Sequence, residues 1–251
     1  MLKEEMRMLN IVIPMAGRGS RFARAGYRSP KPLIDVAGQP MIARVTENVR
    51  PRCAHRFIYI CQEEHLAAYH LEETLRSIAP GCEIVPINYV TEGAACTVLL
   101  SAPLIDNEDP LMIANSDQYV DADINAYLAA LGESDGLIMT MPSEDSNCSY
   151  IRTDAAGRVT LVREKERISG EATVGIYNFR RGADFVAAAQ SMIRKDIRTN
   201  GEFYMAPVYN ELIEAGKNIA FHNVGHTVHS LGTPEDLNAF LSVCHSGNLL
   251  L

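Results

Sequence analysis

The chain has 251 residues, 47% of them apolar, and a formal net charge of −8. An acidic chain of this size is no candidate for binding nucleic acid or an anionic membrane through bulk charge, and it lacks the run of about 18 apolar residues that a bilayer span needs. Its six cysteines are scattered without a C-x-x-C pair, which fits reduced thiols in a cytoplasmic protein better than a disulfide framework.

Residues 1–8 are charged and have no signal-peptide apolar core, so they are expected to be a disordered extension. The apolar run at 9–14 reads as a buried strand. It ends abruptly in Met15-Ala16-Gly17-Arg18-Gly19-Ser20-Arg21, a Gly-rich basic loop. Gly17 and Gly19 have no Cβ, so backbone N–H groups there can approach phosphate oxygens and the loop can use positive φ. Arg21 and Lys31 can add charge over the same anion, Arg as a bidentate fork and Lys as a point charge. The two commonest phosphate motifs do not match. Phe22 stands where a dinucleotide fingerprint needs its third Gly, and no Gly-Lys-Ser/Thr follows.

Residues 15–39 are expected to form one long functional loop. A helix follows at 40–49 with Pro40 in its first turn, then a strand at 56–61, one helix at 63–78, a strand at 83–87 and a helix at 93–102. A strand at 111–114, a helix at 124–131 and a strand at 136–141 complete the first half. This alternation predicts an α/β, Rossmann-like fold with a mixed, mostly parallel central sheet flanked by helices. Ligands of such sheets bind at the carboxyl ends of the strands, where the loops at 15–31, 88–97 and 115–121 would converge. The second half is richer in β structure. A hairpin is expected from 149–153 and 158–162 around a turn at 154–157, then a strand at 172–179, helices at 182–193 and 206–215, strands at 219–223 and 227–231, and a helix at 234–244. With no linker and no internal repeat, the expectation is a single domain at 9–245 with halves at 9–142 and 143–245.

The combination of Gly17-x-Gly19-x-Arg21, Pro30-Lys31-Pro32-Leu33 and Gly38-Gln39-Pro40-Met41 resembles the signature of the sugar-phosphate nucleotidyltransferases, the family that includes glucose-1-phosphate thymidylyltransferase and mannose-1-phosphate guanylyltransferase. The resemblance makes 9–142 a nucleotide-binding half and 143–245 a smaller, β-rich lobe for a sugar phosphate. It implies transfer of a nucleoside monophosphate from a nucleoside triphosphate to a sugar-1-phosphate or a related phosphate metabolite, with pyrophosphate released and Mg²⁺ as cofactor. The attacking phosphate is already an anion, so the protein's work is positioning and charge neutralisation. By resemblance Met15, Ala16, Gly17 and Gly19 bind the nucleotide, Arg21 holds the triphosphate and polarises the leaving group, and Lys31 contacts the α-phosphate.

Further along, Thr91-Glu92-Gly93-Ala94 resembles the loop beside the nucleobase, with a backbone group of Gly93 on the base. Asn88 stands where the thymidylyl enzymes carry a base-reading Gln. Glu92 can only accept hydrogen bonds when ionised. Cytosine and guanine present amino donors, so hydrogen-bond matching leans toward CTP or GTP. Asp117, in Asn115-Ser116-Asp117-Gln118 directly after an apolar strand, matches the family's metal ligand, and a carboxylate at that edge suits Mg²⁺. Asp121-Ala122-Asp123 also spells D-x-D, but Asp123 is a natural N-cap for a helix at 124. Glu164 and Lys165 resemble the pair that binds sugar hydroxyls and sugar phosphate. Neighbours on a strand point to opposite faces, so this match predicts irregular backbone there. Gly175 resembles the glycine that lets the sugar approach the chain.

The departure comes at Val228-His229-Ser230-Leu231-Gly232-Thr233-Pro234-Glu235-Asp236-Leu237. The family commonly reads Trp-x-Asp-x-Gly-Thr there, with the Asp as second metal ligand; here Ser230 replaces it and the chain has no Trp. The metal would then rest on Asp117 and phosphates, or on an unaligned carboxylate such as Glu202. A site from His222, His226 and His229 is disfavoured, since positions 226 and 229 face opposite ways on one strand. The implied partners are the nucleoside triphosphate and the sugar-1-phosphate, with no nucleic acid and no membrane; a homo-oligomer is left open. Two other readings stand beside this one. A nucleotide-sugar-dependent glycosyltransferase would use the D-x-D, and a non-catalytic nucleotide or sugar-phosphate sensor would account for Ser230.

Overall fold

The strand at Leu9–Pro14 (β1) shows why the molecule has two cores. Ile11 and Ile13 pack into one buried cluster while Val12 packs into another, on the opposite face, as the two-residue period of a strand requires. A run apolar on both faces belongs at the centre of a sheet covered by helices on each side. The computed structural model describes residues 7–247 and residue 249. Of the extension expected at 1–8, residues 1–6 lie outside the described residues.

After β1 come β2 (Asp35–Val36), β3 (Gln39–Pro40), β4 (His55–Gln62), β5 (Glu83–Ile87), β6 (Leu111–Ala114) and β7 (Gln118–Val120). The second half adds β8 (Gly136–Pro142), β9 (Ser149–Thr153), β10 (Val159–Glu164), β11 (Glu171–Phe179), β12 (Ile219–Asn223) and β13 (Val228–Ser230). The helices are α1 (Ser20–Arg24), α2 (Met41–Asn48), α3 (Glu63–Tyr69), α4 (Leu71–Ile78), α5 (Ala94–Leu99), α6 (Ala102–Ile105), α7 (Ile124–Ala129), α8 (Gly182–Arg194), α9 (Val208–Glu214) and α10 (Pro234–His245).

A nine-stranded sheet runs through both halves. In the first half β5, β4, β1 and β6 lie side by side and parallel. β11 then runs antiparallel to both β6 and β8, β12 is parallel to β8, and the β9–β10 hairpin extends the sheet beyond β11. The fold is thus the mixed, mostly parallel sheet expected. β11 does two jobs. Its first residues pair with β8 and β9, its last with β6 and β8, and the register shifts between Thr173 and Tyr177. Gly175 lies in that shift at φ 89°, a left-handed geometry that glycine adopts without strain. The bulge opens beside the end of β6, where Asn115 donates its N–H to the Gly175 carbonyl at 3.0 Å.

Three expectations need correcting. Residues 15–39 are not one structureless loop; they contain α1, a 3₁₀ turn at Lys31–Leu33 and the β2–β3 hairpin. Ala37 and Gly38 both take positive φ, the tight turn that suits a two-residue hairpin. The helix expected at 63–78 breaks at His70, which has φ 51°. α3 buries none of its residues fully, whereas α4 seats Leu71 and Leu75 in the core, so the chain must re-aim between them. The helix expected at 93–102 splits into α5 and α6 because Pro103, in the first turn of α6, has no N–H to continue the ladder. β7, paired antiparallel with β13, had no signal of its own in the sequence. The remaining element ends agree to within one or two residues, the ordinary scatter of helix and strand boundaries.

Candidate functional site

A cleft of about 470 Å³ opens over the carboxyl ends of β1, β5 and β6. Met15, Ala16, Gly17, Gly19, Arg21, Lys31, Gly93 and Asp117 all line it. Asn88 and Glu92 do not. The Glu92 carboxylate turns outward to the Arg198 guanidinium, 2.6 Å away. Gly19 has φ 59°, and a Cβ there would come within 3.2 Å of Lys31 Cβ, so the loop and the Lys31 turn pack on each other. Gly17 has open space around it and no positive φ; packing places no demand on it.

Lys31 Nζ lies 2.5 Å from Asp117 Oδ2. The pair joins the loop after β1 to the loop after β6 at a part-buried point of the cleft. It also shows that the Asp117 carboxylate accepts a cation where it stands. Hard oxygen donors of this kind suit Mg²⁺, which needs only one or two carboxylates and completes its shell with waters and phosphates.

The wall beside Gly93 comes from the second half of the chain. Phe203 donates its N–H to the Glu92 carbonyl at 2.8 Å, and its carbonyl accepts from Ala95 N–H at 3.1 Å. Gly93 takes φ 134°, and a Cβ on it would fall 2.5 Å from the Phe203 carbonyl oxygen and 2.6 Å from its nitrogen. Only glycine fits a contact that close between two backbones. Arg198 also lies over the Phe203 ring, 4.0 Å from its centroid.

A second cavity of about 370 Å³ adjoins the cleft and shares Ala94, Asn115 and Asp117 with it. Glu164, at the end of β10, lines this pocket and accepts a hydrogen bond from the Ser149 hydroxyl. Burial pushes its carboxyl up from the ordinary range, opposed by the Ser149 bond and by nearby Lys165. Lys165 has φ 54°, the irregular backbone that the adjacent pair demanded. Its ammonium contacts the Tyr204 hydroxyl at 2.5 Å, an interaction that holds the Lys165 pKa above its usual value. Lys165 itself does not line the pocket; Tyr204 does. Gly175 lines it as well, and a Cβ there would meet Asn115 Nδ2 at 2.2 Å. Gln118 is nearly fully buried on the same wall, and its Nε2 has no hydrogen-bond partner. In the sequence Asn115 and Gln118 stand in the Asp117 motif without roles of their own, and the segment 200–205 is expected to touch the sugar without Phe203 or Tyr204 being singled out, since neither carries a local motif.

Two rival features fall into ordinary roles. Asp123 caps α7, accepting the Asn125 N–H at 2.9 Å, and the bonds from Asn125 hold its carboxyl below the usual range. His229 packs against Phe240 and His222 against Tyr127, with ring centroids 5.3 and 6.0 Å apart. Among the described residues no group of three or more His, Cys, Asp or Glu could hold a metal. Glu202 lines the first cleft, on the segment hydrogen-bonded to the Gly93 loop. Ser230 donates to Asp236 Oδ2 at 2.8 Å and accepts the Gly232 N–H at 3.1 Å. None of the six cysteines forms a disulfide, and no helix among the described residues is long and apolar enough to cross a membrane.

A sequence model of the nucleotidyl transferase family matches residues 11–237. Among solved structures, a nucleoside-diphosphate-sugar pyrophosphorylase from Vibrio cholerae RC9 superposes with a TM-score of 0.81 at 29% identity, over 92% of this chain and 99% of that one. The inositol-1-phosphate CTP transferase of T. maritima superposes with a TM-score of 0.74 over 96% and 98% of the two chains; at 13% identity it bears on the fold alone. Among curated proteins, the bifunctional protein GlmU of Cupriavidus metallidurans is 24% identical over 84% of this chain and 46% of its own length. CMP-5'-(3-aminopropyl)phosphonate synthase of Streptomyces rubellomurinus is 28% identical over 63% of this chain and 25% of its own. The chain thus spans about half the length, or less, of these curated relatives.

Proposed function

The chain belongs to the nucleotidyl transferase family, and on that footing we propose that it transfers a nucleoside monophosphate from a nucleoside triphosphate to a phosphate-bearing acceptor, a sugar-1-phosphate foremost, and releases pyrophosphate. The observation that carries the reading is the Lys31–Asp117 pair at 2.5 Å, where the Gly-rich loop cleft meets the second pocket through shared Asn115 and Asp117. A triphosphate in the cleft and an acceptor phosphate in the adjoining pocket would meet at that pair.

In this reading each residue has a physical task. The backbone of Met15 to Gly19 cradles the triphosphate, and Arg21 neutralises charge gathering on the departing pyrophosphate. Lys31 leaves Asp117 for the α-phosphate as the transition state gains charge. Tyr204 and Lys165 orient the acceptor phosphate, while Glu164 and Gln118 receive and donate hydrogen bonds to the acceptor body. The Gly175 bulge lets that body lie against the chain. Mg²⁺, held by Asp117, would supply charge neutralisation at the phosphates.

The lean toward CTP or GTP is kept as part of the proposal, but its footing changes. Glu92 is engaged by Arg198 outside the cleft, so backbone groups around Gly93 are the base's neighbours. The name of one relative, the CMP-5'-(3-aminopropyl)phosphonate synthase, is in keeping with the cytidine arm. We place the enzyme in the cytoplasm, as one nucleotidyltransferase domain at 9–245. The test is pyrophosphate release over a grid of nucleoside triphosphates and sugar-1-phosphates, with inositol-1-phosphate and an aminoalkylphosphonate added, with and without Mg²⁺. Turnover is expected in one column of the grid and only with metal. Tight nucleotide binding with no pyrophosphate across the grid would sink the reading in favour of a sensor, the alternative that Ser230 motivates.

A further inference from the structure

Residue 230 is where the family's second metal carboxylate is missing, yet a carboxylate stands beside it. Ser230 Oγ donates to Asp236 Oδ2 at 2.8 Å, and the Gly232 N–H donates to Ser230 Oγ at 3.1 Å. The hydroxyl is therefore fixed at both ends, and it fixes Asp236 in turn. Gly232, which lines the cleft, lies beside the group. A Cβ on Gly232 would lie 3.3 Å from Ser230 Oγ, 3.4 Å from Asp117 Oδ2 and 3.7 Å from Asp236 Oδ2. Three oxygens from three separate segments thus surround one space that any side chain at 232 would fill. The same Oδ2 of Asp117 carries the Lys31 ammonium.

The helix does not account for this arrangement. Asp236 opens α10, where a carboxylate usually serves the helix N-terminus. Here the cap is Thr233, whose hydroxyl accepts the Asp236 N–H at 3.1 Å, and the Asp236 carboxylate points to Ser230 instead. Among the described residues it forms no ion pair; its Oδ2 and the Asp117 Oδ2 both lie within 3.7 Å of the space beside Gly232, a residue that lines the cleft.

We propose that Asp236, positioned by Ser230, supplies the second carboxylate of the Mg²⁺ site in place of the aspartate absent at 230. Two carboxylates with water and phosphate oxygens make an ordinary Mg²⁺ shell, so no third acidic residue is required. Glu202, an unaligned carboxylate that does line the cleft, sits on the segment bound to the Gly93 loop and is not among the oxygens next to Gly232. The inference rests on the nucleotidyl-transfer reading, but its test does not depend on turnover.

Mn²⁺ serves as the probe, with the free aqua ion followed by electron paramagnetic resonance. It is titrated into the protein alone and with the α,β-methylene analogues of ATP, GTP, CTP and UTP. Asp236→Asn is expected to weaken Mn²⁺ uptake by about tenfold or more, while metal-free binding of the analogues is unchanged. Ser230→Asp added to Asp236→Asn should restore uptake, which the loss of a helix-end charge alone would not allow. Thermal unfolding of each variant checks that it is folded. Asp236→Asn protein that takes up Mn²⁺ as wild type does, or a wild type that takes up none under any condition, overturns the proposal. Wild-type uptake that depends on Asp236, with no pyrophosphate released, supports the metal site and sinks the transferase reading instead.

Discussion

The proposed nucleotide cleft lies over parallel strands and takes in the glycine-bearing loops after β1 and β5, whereas the proposed acceptor pocket lies over antiparallel strands and gathers polar side chains. In the cleft, Gly19 and Gly93 keep Cβ atoms out of the way, and Arg21, Lys31, Asp117 and Glu202 bring the charge. In the pocket, Glu164, Tyr204 and the pair Asn115 and Gln118 arrive from three different segments, and the Gly175 bulge lies among them. The two regions teach different things about substrate choice. A backbone surface recognises what all nucleotides share, the phosphates. A side-chain surface recognises what distinguishes one acceptor from another.

Charge removal in the cleft should give the largest effect. Lys31→Ala and Arg21→Ala are each expected to lower turnover by about 10²–10³-fold, the scale seen when one preorganised donor to developing charge is lost. The melting temperature should stay near that of wild type, since both side chains reach solvent. Pyrophosphate release and a thermal melt on the same preparations check this. A Lys31→Ala enzyme with wild-type turnover would break the division of labour at its strongest point.

The two clamped glycines sharpen the contrast between backbone and side-chain walls. Gly93→Ala drives a Cβ into the backbone of Phe203, which cannot swing aside, at φ 134°. It should destabilise the protein by about 2–4 kcal/mol and abolish nucleotide binding. Gly175→Ala meets side-chain atoms of Asn115 and Gln118 at φ 89°. Those can rotate, so the expected cost is smaller, about 1–2 kcal/mol, with the acceptor KM raised and nucleotide affinity kept. Urea unfolding and calorimetry separate the two outcomes; equal effects on both substrates would mean that the pockets are not built independently.

The same contrast explains what could be read in advance. The Gly-rich loop, Lys31 and Asp117 follow directly on apolar strands, so short stretches of sequence place them at one sheet edge. Tyr204, Phe203 and the partnerless amide of Gln118 take their positions from contacts across 39 to 111 residues of chain, as between Tyr204 and Lys165 or Phe203 and Glu92. No local pattern encodes those. Asp236 was masked by its setting, because an acidic residue in a first helical turn reads as a helix-end charge. The breaks at His70 and before Pro103 have a similar origin. Helical spacing persists through 63–78, and only the burial of Leu71 and Leu75 beside an exposed α3 decides that the axis must turn.

Glu164 tests the side-chain wall through pH. Burial raises its folded-state pKa, so between the ordinary carboxylate range and the raised value the folded protein holds a proton that the unfolded chain has lost. Stability from this group is therefore present at lower pH and falls as pH rises through that window. Acceptor hydroxyls donating to the carboxylate favour the ionised form, so the acceptor KM should climb as pH falls through the same window. Glu164→Gln should flatten both dependences, raise the acceptor KM by about 10-fold or more, as befits a lost hydrogen bond to a charged group, and leave nucleotide affinity as it was. Melting temperatures and KM values measured from mildly acidic to neutral pH carry the test. An acceptor KM that keeps its pH dependence in the variant would assign the titration to another group.

The smallest effect is expected at Glu92, and it bears on the nucleotide side of the contrast. By hydrogen-bond matching Glu92 reads an amino group on the base; in the structure its carboxylate faces Arg198 at 2.6 Å and does not line the cleft. Arg198 is held at the same time by Asp196 and rests on Phe203. Glu92→Gln therefore removes one partner from an exposed ion pair, an interaction that contributes little to stability in water. The melting temperature should not move, and the order of preference among nucleoside triphosphates should not change. If the preference did shift, Arg198 would have to release Glu92 when nucleotide binds. The base would then be read by a side chain that swings in, and the cleft would be less purely a backbone surface than its geometry indicates.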